Sequence, residues 1–435
     1  MVNISTNDNA LVLKLDAWLD TMRGPEGYTG PVAHWWQNCL QFTGTGLDWR
    51  YEGIIIGYAQ LYQRTADECW LNKARRAADD LVRGQLANGT FQASSFELNP
   101  YPGGTPHEAA CDLALLFLAG LLRERGDEVG LIYQSAAERN LRGRYVDQLW
   151  DGTASLFRDS PRVPSFVPNK SATLAEALLL LARLNGDESL VTRYALPTLD
   201  AILAHQVRGG ELDGTIYQNS FGADKVAKFM PYYVARCVPG LLAGYEWSGE
   251  ERYLDGARRA MAFVMRWQYE DGSFAQIVYP GRQFNRYPQW VAAVGDMLRA
   301  ADLLRPYGVV IDTAATEAWL RRGVQPSGGF ATAWGFAAQT SQRAVRGVAE
   351  FRDLLPVCGW NDKVFRYLTG RMPAGSVLPE AWIADYETTC TLRGKHALWN
   401  ETSEAMQLHL GTKTVYRWRK GQPWAAVAAR EALWK

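Results

Sequence analysis

The sequence predicts an all-α fold, a six-hairpin (α/α)6 barrel (toroid) followed by a C-terminal extension. A glycine-centred loop of similar sequence occurs five times, at intervals of 56 to 63 residues. Apolar residues between these loops recur with helical spacing. Helices that are apolar all round alternate with charged, amphipathic helices, as the inner and outer helices of a closed ring do. An interval near 60 residues fits two helices and two connections, so the chain fits one large domain.

The repeated loops are centred on Gly89, Gly152, Gly214, Gly272 and Gly328, each preceded by Asp, Asn or Ser. This pair of residues favours a turn with a positive φ at the glycine. A Phe or Ile follows in four of the five loops and can fill the space between helix ends. The loops therefore predict a regular connection from each outer helix to the next inner helix.

Twelve helices are predicted between and around these loops, with the even-numbered ones inside. They cover 10–23, 49–65, 68–87, 106–125, 130–150, 169–185, 188–208, 228–248, 251–269, 286–304, 312–322 and 341–356. The predicted toroid domain spans 1–356. Residues 357–435 are rich in Trp and break the pattern, which predicts an extension that packs on the barrel. Within it, the segment Leu398–Leu410 is predicted to be a further helix.

The loop Tyr269-Glu-Asp-Gly272-Ser-Phe274 resembles the repeats of squalene-cyclase and prenyltransferase toroids. The number of hairpins resembles the six-hairpin glycosidases and the toroidal polysaccharide lyases, over about residues 10–356. The resemblance implies the toroid architecture. It does not select a reaction, because this architecture carries many unrelated activities.

The composition excludes several classes of protein. Lys plus Arg and Asp plus Glu both number 46, so there is no overall basic field to bind nucleic acid. No stretch of about 18 apolar residues predicts a membrane span. The N-terminus lacks the pattern of a secretory signal, and the six cysteines are scattered without a CxxC pair, so a cytoplasmic protein without a disulfide framework is expected.

A binding site is predicted at the rim where the inner helices begin. Free N–H groups and the positive ends of the helix dipoles gather there, which favours an anionic ligand. Polar residues of these helix starts and of the nearby loops are the candidates, although Asp48 and Asn169 are also ordinary helix caps. The catalytic candidates are His107, Tyr232, Asn169, Glu108, Asp48 and Glu52. The substrate-binding candidates are Arg50, Tyr51, Lys170, Asn219, Lys228, Arg286 and Tyr287.

The preferred hypothesis is a carbohydrate-active enzyme that cleaves a uronate-containing oligo- or polysaccharide by β-elimination, without a cofactor. Elimination needs a group that neutralises the uronate carboxylate, a base and an acid. The resemblance to toroidal lyases implies Asn or Arg for the first role and His or Tyr for the others. His107 is the one histidine at a predicted inner helix start.

Four alternatives remain open from the sequence. A glycoside hydrolase would use two carboxylates, Asp48 or Glu52 with Glu108. An isoprenoid cyclase is disfavoured, because the sequence has no Asp-x-Asp-Asp motif. A zinc site could use His107 and Cys111, which are spaced i,i+4. A toroid that only binds a glycan is the non-catalytic alternative.

Overall fold

The chain forms a ring of helical hairpins. A computed structural model describes residues 6–28, 30–33, 40–43, 46–92, 107–335, 356–378, 382, 387–392, 397–402, 405–410, 413–419 and 425–426. Within these ranges, helices alternate between the outside and the inside of the ring. The outer helices are α1 (Thr6–Thr21), α3 (Glu68–Arg83), α5 (Val129–Asn140, extended by a π-helical turn Leu141–Val146), α7 (Glu188–Leu190, a π-helical turn Val191–Ala195, and Leu196–Ala204), α9 (Glu251–Arg266) and α11 (Ala314–Arg322). The inner helices are α2 (Arg50–Thr65), α4 (Ala109–Glu124), α6 (Pro168–Asn185), α8 (Pro231–Ser248), α10 (Val294–Leu304) and α12 (Cys358–Arg371).

The alternation of inner and outer helices follows from their sequences. The outer helix α3 buries one face, which includes Trp70, Leu71 and Ala74, and exposes its charged face. The inner helix α4 buries almost every residue, because it contacts helices on several sides. Despite such apolar stretches, the described part of the chain contains no helix with the length and hydropathy of a membrane span.

The last inner helix lies later in the sequence than predicted. Apart from Pro356, the predicted helix 341–356 falls outside the described residues. The helix that packs between α2 and α10 is α12, which begins just after the predicted boundary at 356. Close packing requires glycine at these contacts, since a Cβ at Gly53 of α2 would lie 2.1 Å from the backbone oxygen of Asp362. The fifth inner helix, α10, also begins at Val294 and not at 286, because Gln289–Trp290 form a short strand.

The glycine loops join the hairpins to one another and close the ring. Gly89, Gly214, Gly272 and Gly328 have φ values of 86, 86, 85 and 92°, as predicted for such turns. Each of these glycines packs against the backbone of the following outer helix. A Cβ at Gly328, in the last loop, would lie 2.3 Å from the backbone oxygen of Lys14 in α1. The first and last hairpins are therefore neighbours, and the structure is a closed ring.

Substitution of these glycines is expected to destabilise the ring. Gly214→Ala places a Cβ 2.0 Å from the backbone oxygen of Arg259. The left-handed φ of Gly214 is a second source of strain for alanine. We expect a loss of about 2–4 kcal/mol in the free energy of unfolding, measured by urea denaturation. Gly210→Ala in the same loop is the control, because its φ is 72° but its Cβ would meet open space. It should lose about 1–2 kcal/mol. Equal losses in the two variants would contradict the packing argument.

Short strands connect the helices, and a larger sheet follows the ring. The strands are β1 (Arg23–Gly24), β2 (Gly27–Tyr28), β3 (Gly30–Ala33), β4 (Leu40–Thr43), β5 (Trp150–Asp151), β6 (Leu156–Phe157), β7 (Ser165–Phe166), β8 (Ser220–Phe221), β9 (Asp224–Lys225), β10 (Ile277–Tyr279), β11 (Gln283–Asn285), β12 (Gln289–Trp290), β13 (Ala333–Trp334), β14 (Glu387–Leu392), β15 (Ala397–Thr402), β16 (Ala405–Leu410), β17 (Lys413–Arg419) and β18 (Ala425–Ala426). The last five form one antiparallel sheet in chain order. The helix predicted at Leu398–Leu410 was wrong, because this segment forms β15 and β16. Their pairing with β14 and β17 decides the conformation, and such non-local contacts are invisible to a local helical pattern.

Candidate active site

Six charged side chains meet near the starts of the inner helices, although these helices are otherwise apolar. We call them the ionic cluster, and each is at most 5% exposed. It comprises Glu52 of α2, Arg236 of α8, Asp296 of α10, and Asp362, Lys363 and Arg366 of α12. Buried charges of this kind are stable only when they are paired.

Glu52 is the carboxylate with the most cationic partners in the ionic cluster. Arg366 Nη1 donates to its Oε1 at 2.7 Å, Arg236 Nη2 donates to its Oε2 at 3.0 Å, and Lys363 Nζ donates to its Oε2 at 3.2 Å. Burial by itself would raise the pKa of Glu52, but these three charges outweigh it and hold the pKa well below its usual range. Glu52 therefore remains ionised and does not act as a proton donor.

The same two arginines bind Asp296, so that two carboxylates and two guanidinium groups form a closed cycle. Arg236 Nη1 lies 3.1 Å from Asp296 Oδ2, and Arg366 Nη2 lies 3.0 Å from Oδ1. Burial opposes ionisation, yet the two arginines lower the pKa of Asp296 to about 2. Tyr232 also donates its hydroxyl to Asp296 Oδ2 at 3.2 Å, which links this rim residue to the cluster.

His107 lies against the ionic cluster in a strained turn just before α4. Its φ is 72°, a left-handed value that is rare for a residue with a side chain. Arg236 Nη2 lies 3.2 Å from His107 Nε2. Since a guanidinium only donates, Nε2 must accept, and in the neutral ring the proton then resides on Nδ1. Burial, followed by the Arg236 charge, lowers the pKa of His107 well below its usual value, so the ring is neutral.

The Nδ1 atom of His107 is the unusual feature of this arrangement. It is buried and has no hydrogen-bond partner among the residues that the structure describes. Leaving a buried donor unsatisfied costs about 1–3 kcal/mol, so such atoms tend to be kept for a ligand. The strained backbone of His107 also indicates a functional site, because such strain clusters at active sites. His107 thus carries a buried N–H donor at Nδ1, and the positively charged Arg236 donates to the opposite ring nitrogen.

The pKa of Asp362 is raised, whereas the pKa values of Glu52 and Asp296 are lowered. Lys363 Nζ and the Gly53 backbone N–H donate to Asp362 Oδ2 at 2.7 and 3.1 Å. Burial raises the pKa of Asp362 to about 7. The charge of Lys363 offsets only part of the effect of burial, and the neighbouring carboxylates of Asp296 and Glu52 add to it. The ionic cluster therefore carries three cations against two permanent anions and one carboxyl that titrates near neutrality.

The pKa of Asp362 predicts a dependence of stability on pH. A carboxyl that holds its proton more tightly when folded stabilises the protein at low pH, and this contribution disappears as the pH rises from about 4 to 7. Between pH 5 and pH 8, the wild type should lose about 2 kcal/mol of unfolding free energy relative to Asp362→Asn. Urea denaturation of both proteins at the two pH values measures this difference. Parallel pH profiles would show that Asp362 is ionised throughout.

Comparisons with known proteins identify the fold. No protein-family model and no curated protein matches this chain. Among solved structures, a D-mannose isomerase is 14% identical with a TM-score of 0.62, covering 85% of this chain and 98% of that one. An unsaturated glucuronyl hydrolase specific for heparin is 13% identical with a TM-score of 0.60, over 84% and 96%. A cellobiose 2-epimerase from Bacillus thermoamylovorans is also 13% identical with a TM-score of 0.60, over 83% and 98%.

The chain is a six-hairpin (α/α)6 toroid. This confirms the architecture that the repeats predict. Identities of 13–14% establish the fold alone, so the reaction has to be inferred from the toroid's own side chains.

The structure brings only some of the predicted carboxylates into the ionic cluster. Glu52 belongs to it, but Asp48 is held by Arg50, whose Nε and Nη2 donate at 2.8 and 3.0 Å. Glu108 accepts the backbone N–H of Phe91 at 3.0 Å and so fixes the first glycine loop. These contacts give Asp48 and Glu108 clear structural roles at the toroid rim.

Two of the predicted binding residues are built into the packing of the toroid. Besides Asp48, Arg50 donates to the backbone oxygen of Tyr28 at 3.2 Å. The Tyr51 hydroxyl donates to Asp80 in the outer helix α3 at 3.2 Å. Both side chains are buried away from the ionic cluster, and both stabilise the packing of α2 against its neighbours.

The other predicted binding residues lie nearer to solvent. Lys170 pairs with Asp159 at 2.9 Å, and its charge contributes to the lowered pKa of His107. The Arg286 guanidinium lies 4.6 Å from the ring centroid of Tyr269, and its side chain is 44% exposed. The remaining predicted binding residues are half-buried: Asn219, Lys228 and Tyr287. The predicted catalytic residue Asn169 is half-buried as well and is the second residue of α6.

The two residues of the predicted zinc site make other contacts in the toroid. Cys111 donates its thiol to the backbone oxygen of Asp48 at 3.3 Å, while His107 contacts Arg236. Across the described ranges, no three His, Cys, Asp or Glu side chains converge as metal ligands. Burial raises the pKa of Cys111 well above its usual value, as expected for a packed thiol.

Sequence reasoning missed most of the ionic cluster. Arg236 lies in the second turn of α8, and Asp362, Lys363 and Arg366 lie in α12, beyond the predicted end of the toroid at 356. Asp296 is in the first turn of α10, whose start was predicted at 286. The available signal was a charged residue within an apolar inner helix, as in Val234-Ala-Arg-Cys-Val238. Because burying a charge is expensive without partners, such an exception predicts a buried network.

Proposed function

We propose that this protein is a carbohydrate-active enzyme whose chemistry develops negative charge on a substrate oxygen, with β-elimination from a uronate-containing sugar as the preferred reaction. The observation that carries the proposal is the neutral His107 ring, whose Nδ1–H has no hydrogen-bond partner among the described residues and whose Nε2 accepts from Arg236. When a carbon-bound proton leaves next to a carboxylate or carbonyl group, the charge accumulates on the oxygen. A preorganised donor beside a buried cation stabilises that charge.

His107, Arg236 and Tyr232 have different roles in the proposed reaction. His107 and Arg236 stabilise the developing oxyanion. Tyr232 keeps its phenol proton, because burial and the Asp296 charge raise its pKa well above its usual value. Tyr232, which is hydrogen-bonded to Asp296, donates its phenol proton to the leaving oxygen of the sugar. The phenol oxygen then takes the proton that leaves the carbon, so that Tyr232 serves as both acid and base and is protonated again at the end of the reaction.

The charges around the site support an acidic substrate. Three cations face two permanent anions in the ionic cluster, and the half-buried Lys228 lies just before α8. The inner helices also direct their N-terminal dipoles toward this rim. A sugar substrate is supported further by the similar folds, which include a glucuronyl hydrolase, an isomerase and an epimerase, each named for a sugar.

Two-carboxylate hydrolysis is less well supported by the same geometry. It needs one protonated carboxylic acid beside the scissile bond. Glu52 and Asp296 stay ionised, while Asp48 and Glu108 hold structural contacts. The carboxylates of the predicted hydrolytic pairs are therefore engaged in ion pairs or loop contacts. Asp362, the carboxyl of the ionic cluster whose pKa is about 7, belongs to none of these pairs.

The test is an assay of the full chain against uronate-containing oligosaccharides. Elimination produces an unsaturated uronate, and its ultraviolet absorbance should increase together with new reducing ends. Reducing ends without this absorbance would indicate hydrolysis. Binding without any product would leave only the glycan-binding alternative.

Tyr232→Phe is expected to lower turnover about 100-fold, because it removes the proton donor. Substrate binding should change little, and the unfolding free energy should fall by about 1 kcal/mol for the lost hydrogen bond to Asp296. Initial rates and urea denaturation measure the two effects. Tyr217→Phe is the control, since the Tyr217 ring packs on Phe229 at the rim and lies outside the cluster. A Tyr232→Phe enzyme with full turnover would remove this residue from the reaction.

A further inference from the structure

The carboxyl group of Asp362 differs from the other two in the ionic cluster in the partners of its oxygens. Each oxygen of Glu52 and of Asp296 accepts from at least one arginine. Asp362 Oδ2 accepts from Lys363 and from the Gly53 backbone N–H, whereas Oδ1 is buried and has no hydrogen-bond partner in the part of the chain that the structure describes. A buried carboxylate with one unpaired oxygen is costly, so Asp362 is the carboxyl of the cluster that favours a proton.

The groups around Asp362 are the rest of the ionic cluster and two neutral neighbours. They comprise Glu52 from α2, Asp296 from α10, Arg236 and Tyr232 from α8, and Lys363, Arg366 and Cys358 from α12 itself. The helix α1 also packs against α12, but its charged residues are engaged outside the cluster: Asp8 with Arg321, Asp16 and Asp20 with Lys73, and Lys14 with the ring of Trp382. The strand β3 also contacts α12 and contains no charged residue.

Among these described groups, Asp362 is the one that changes its charge near neutral pH. Glu52 and Asp296 stay ionised, since the pKa of Glu52 lies well below its usual range and the pKa of Asp296 is about 2. Burial raises the pKa of Cys358 to about 12 and the pKa of Tyr232 well above its usual value, so both keep their protons. Burial raises the pKa of Asp362 to about 7. The ionic cluster therefore carries one net positive charge in acid and none in base.

This change of charge acts on an anionic ligand without direct contact. Charges inside a protein are screened less than charges in water, so they interact over several ångströms. Asp362 pairs with Lys363 at 2.7 Å, and Lys363 also donates to Glu52. The charge of Asp362 contributes to the raised pKa of Tyr232, so it acts as far as the rim. A bound anion is therefore attracted by the net charge of the cluster only while Asp362 holds its proton.

We propose that Asp362 is a positioning residue that sets the preference of the site for an acidic over a neutral sugar. It acts through Lys363 and not by contact with the sugar. When a proton from solvent is bound at Oδ1, the cluster is positive and favours an anion. When that proton is released, the cluster is neutral and most of this preference is lost. By linkage, an anionic ligand favours the protonated form, so its binding takes up a proton. This inference rests on the proposed function only for the ligand being an acidic sugar.

The test is isothermal titration of the full-length protein with D-glucuronate and with D-glucose, at about pH 5 and about pH 9. Glucuronate is ionised at both values, and glucose is uncharged. The ratio of the two affinities should fall about tenfold from the lower to the higher pH, a size typical of coupled binding. The affinity for glucose should stay the same, because glucose does not interact with the net charge. An equal ratio at the two pH values would overturn the proposal.

Asp362→Asn isolates the titrating group. Asparagine has the shape of the protonated carboxyl and does not ionise, so this variant should keep the low-pH affinity ratio at the higher pH. Asp302→Asn is the matched control. Asp302 is another carboxyl of an inner helix whose pKa is raised by burial, but it pairs with Arg305 at 2.9 Å, outside the ionic cluster. This control should show the same fall as the wild type. A fall that persists in Asp362→Asn would also overturn the proposal.

Proton uptake is a second readout, which a purely structural role of Asp362 would not produce. Titrations at about pH 7.5 in buffers with different ionisation enthalpies measure it directly. With about tenfold coupling, binding of glucuronate should take up about half a proton in the wild type. It should take up none in Asp362→Asn, and binding of glucose should take up none in either protein. Equal uptake by the two proteins would contradict the role of Asp362.

These measurements can be separated from the test of the proposed reaction. If glucuronate binds with this pH dependence and no oligosaccharide is turned over, the reaction fails and the role of Asp362 stands. If an unsaturated uronate is produced and the affinity ratio does not change with pH, the reaction stands and the role of Asp362 fails. If glucuronate does not bind at either pH, the role of Asp362 fails, and the oligosaccharide assay still decides the reaction.

Discussion

Replacing Glu52 by alanine is expected to destabilise the protein by about 3–5 kcal/mol, among the largest effects of any single substitution. The change leaves Arg236, Lys363 and Arg366 buried with one permanent anion, Asp296, and with Asp362. Each of these cations donates directly to Glu52, at 2.7 to 3.2 Å. The unfolding free energy from urea denaturation is the measurement.

Two further variants isolate the cause of this loss. Glu52→Gln keeps the shape of the side chain and removes its charge, so it should lose almost as much stability as alanine does. Glu138→Ala removes a carboxylate from a half-exposed pair with Arg142, at 2.7 Å, and should lose at most about 1 kcal/mol. If Glu52→Ala changes the unfolding free energy no more than Glu138→Ala does, the cluster does not stabilise the toroid through its charges.

Replacing His107 is expected to separate activity from stability. His107→Ala and His107→Gly remove the Nδ1–H donor, and turnover should fall by about 100- to 10,000-fold. The glycine variant should be at least as stable as the alanine variant, because the φ of 72° suits glycine and strains alanine. Turnover of a uronate-containing oligosaccharide and urea denaturation measure the two properties.

A second histidine provides the control. His205 is buried and hydrogen-bonded to the Ala201 backbone oxygen and to the Ser220 hydroxyl, at 2.8 and 3.0 Å. Its replacement by alanine should lower stability and leave the turnover number unchanged, since it lies outside the ionic cluster. Normal turnover in His107→Ala would remove the central residue from the proposed reaction.

The ring itself was predictable because its signals are local and repeated. A positive φ at Gly89 or Gly272 follows from a short turn sequence, and Pro168 and Pro231 are the first residues of α6 and α8, where proline is favoured. The loop at Gly152 shows the limit of this reasoning. The left-handed residue there is Ser155, with a φ of 52°, because a tight pairing of Trp150 with Phe157 sets a different turn.

The site was predictable in its position and only partly in its residues. His107, Tyr232 and Glu52 were found because they lie within a few residues of an inner helix start. Asp48 and Glu108 share that feature, yet their partners are a neighbouring Arg50 and a loop N–H. Position along a helix indicates nearness to the rim, but it does not reveal which partner saturates a given carboxylate.

The amino-acid sequence alone determined the hairpins, their alternation and the rim where polar residues collect, because turn chemistry and helical periodicity act over a few residues. The tertiary structure alone decided the ionic cluster. Arg366 and Glu52 are 314 residues apart and meet only because the ring closes. The pairing of charges and the tautomer of His107 depend on distances between helices, which no local pattern encodes.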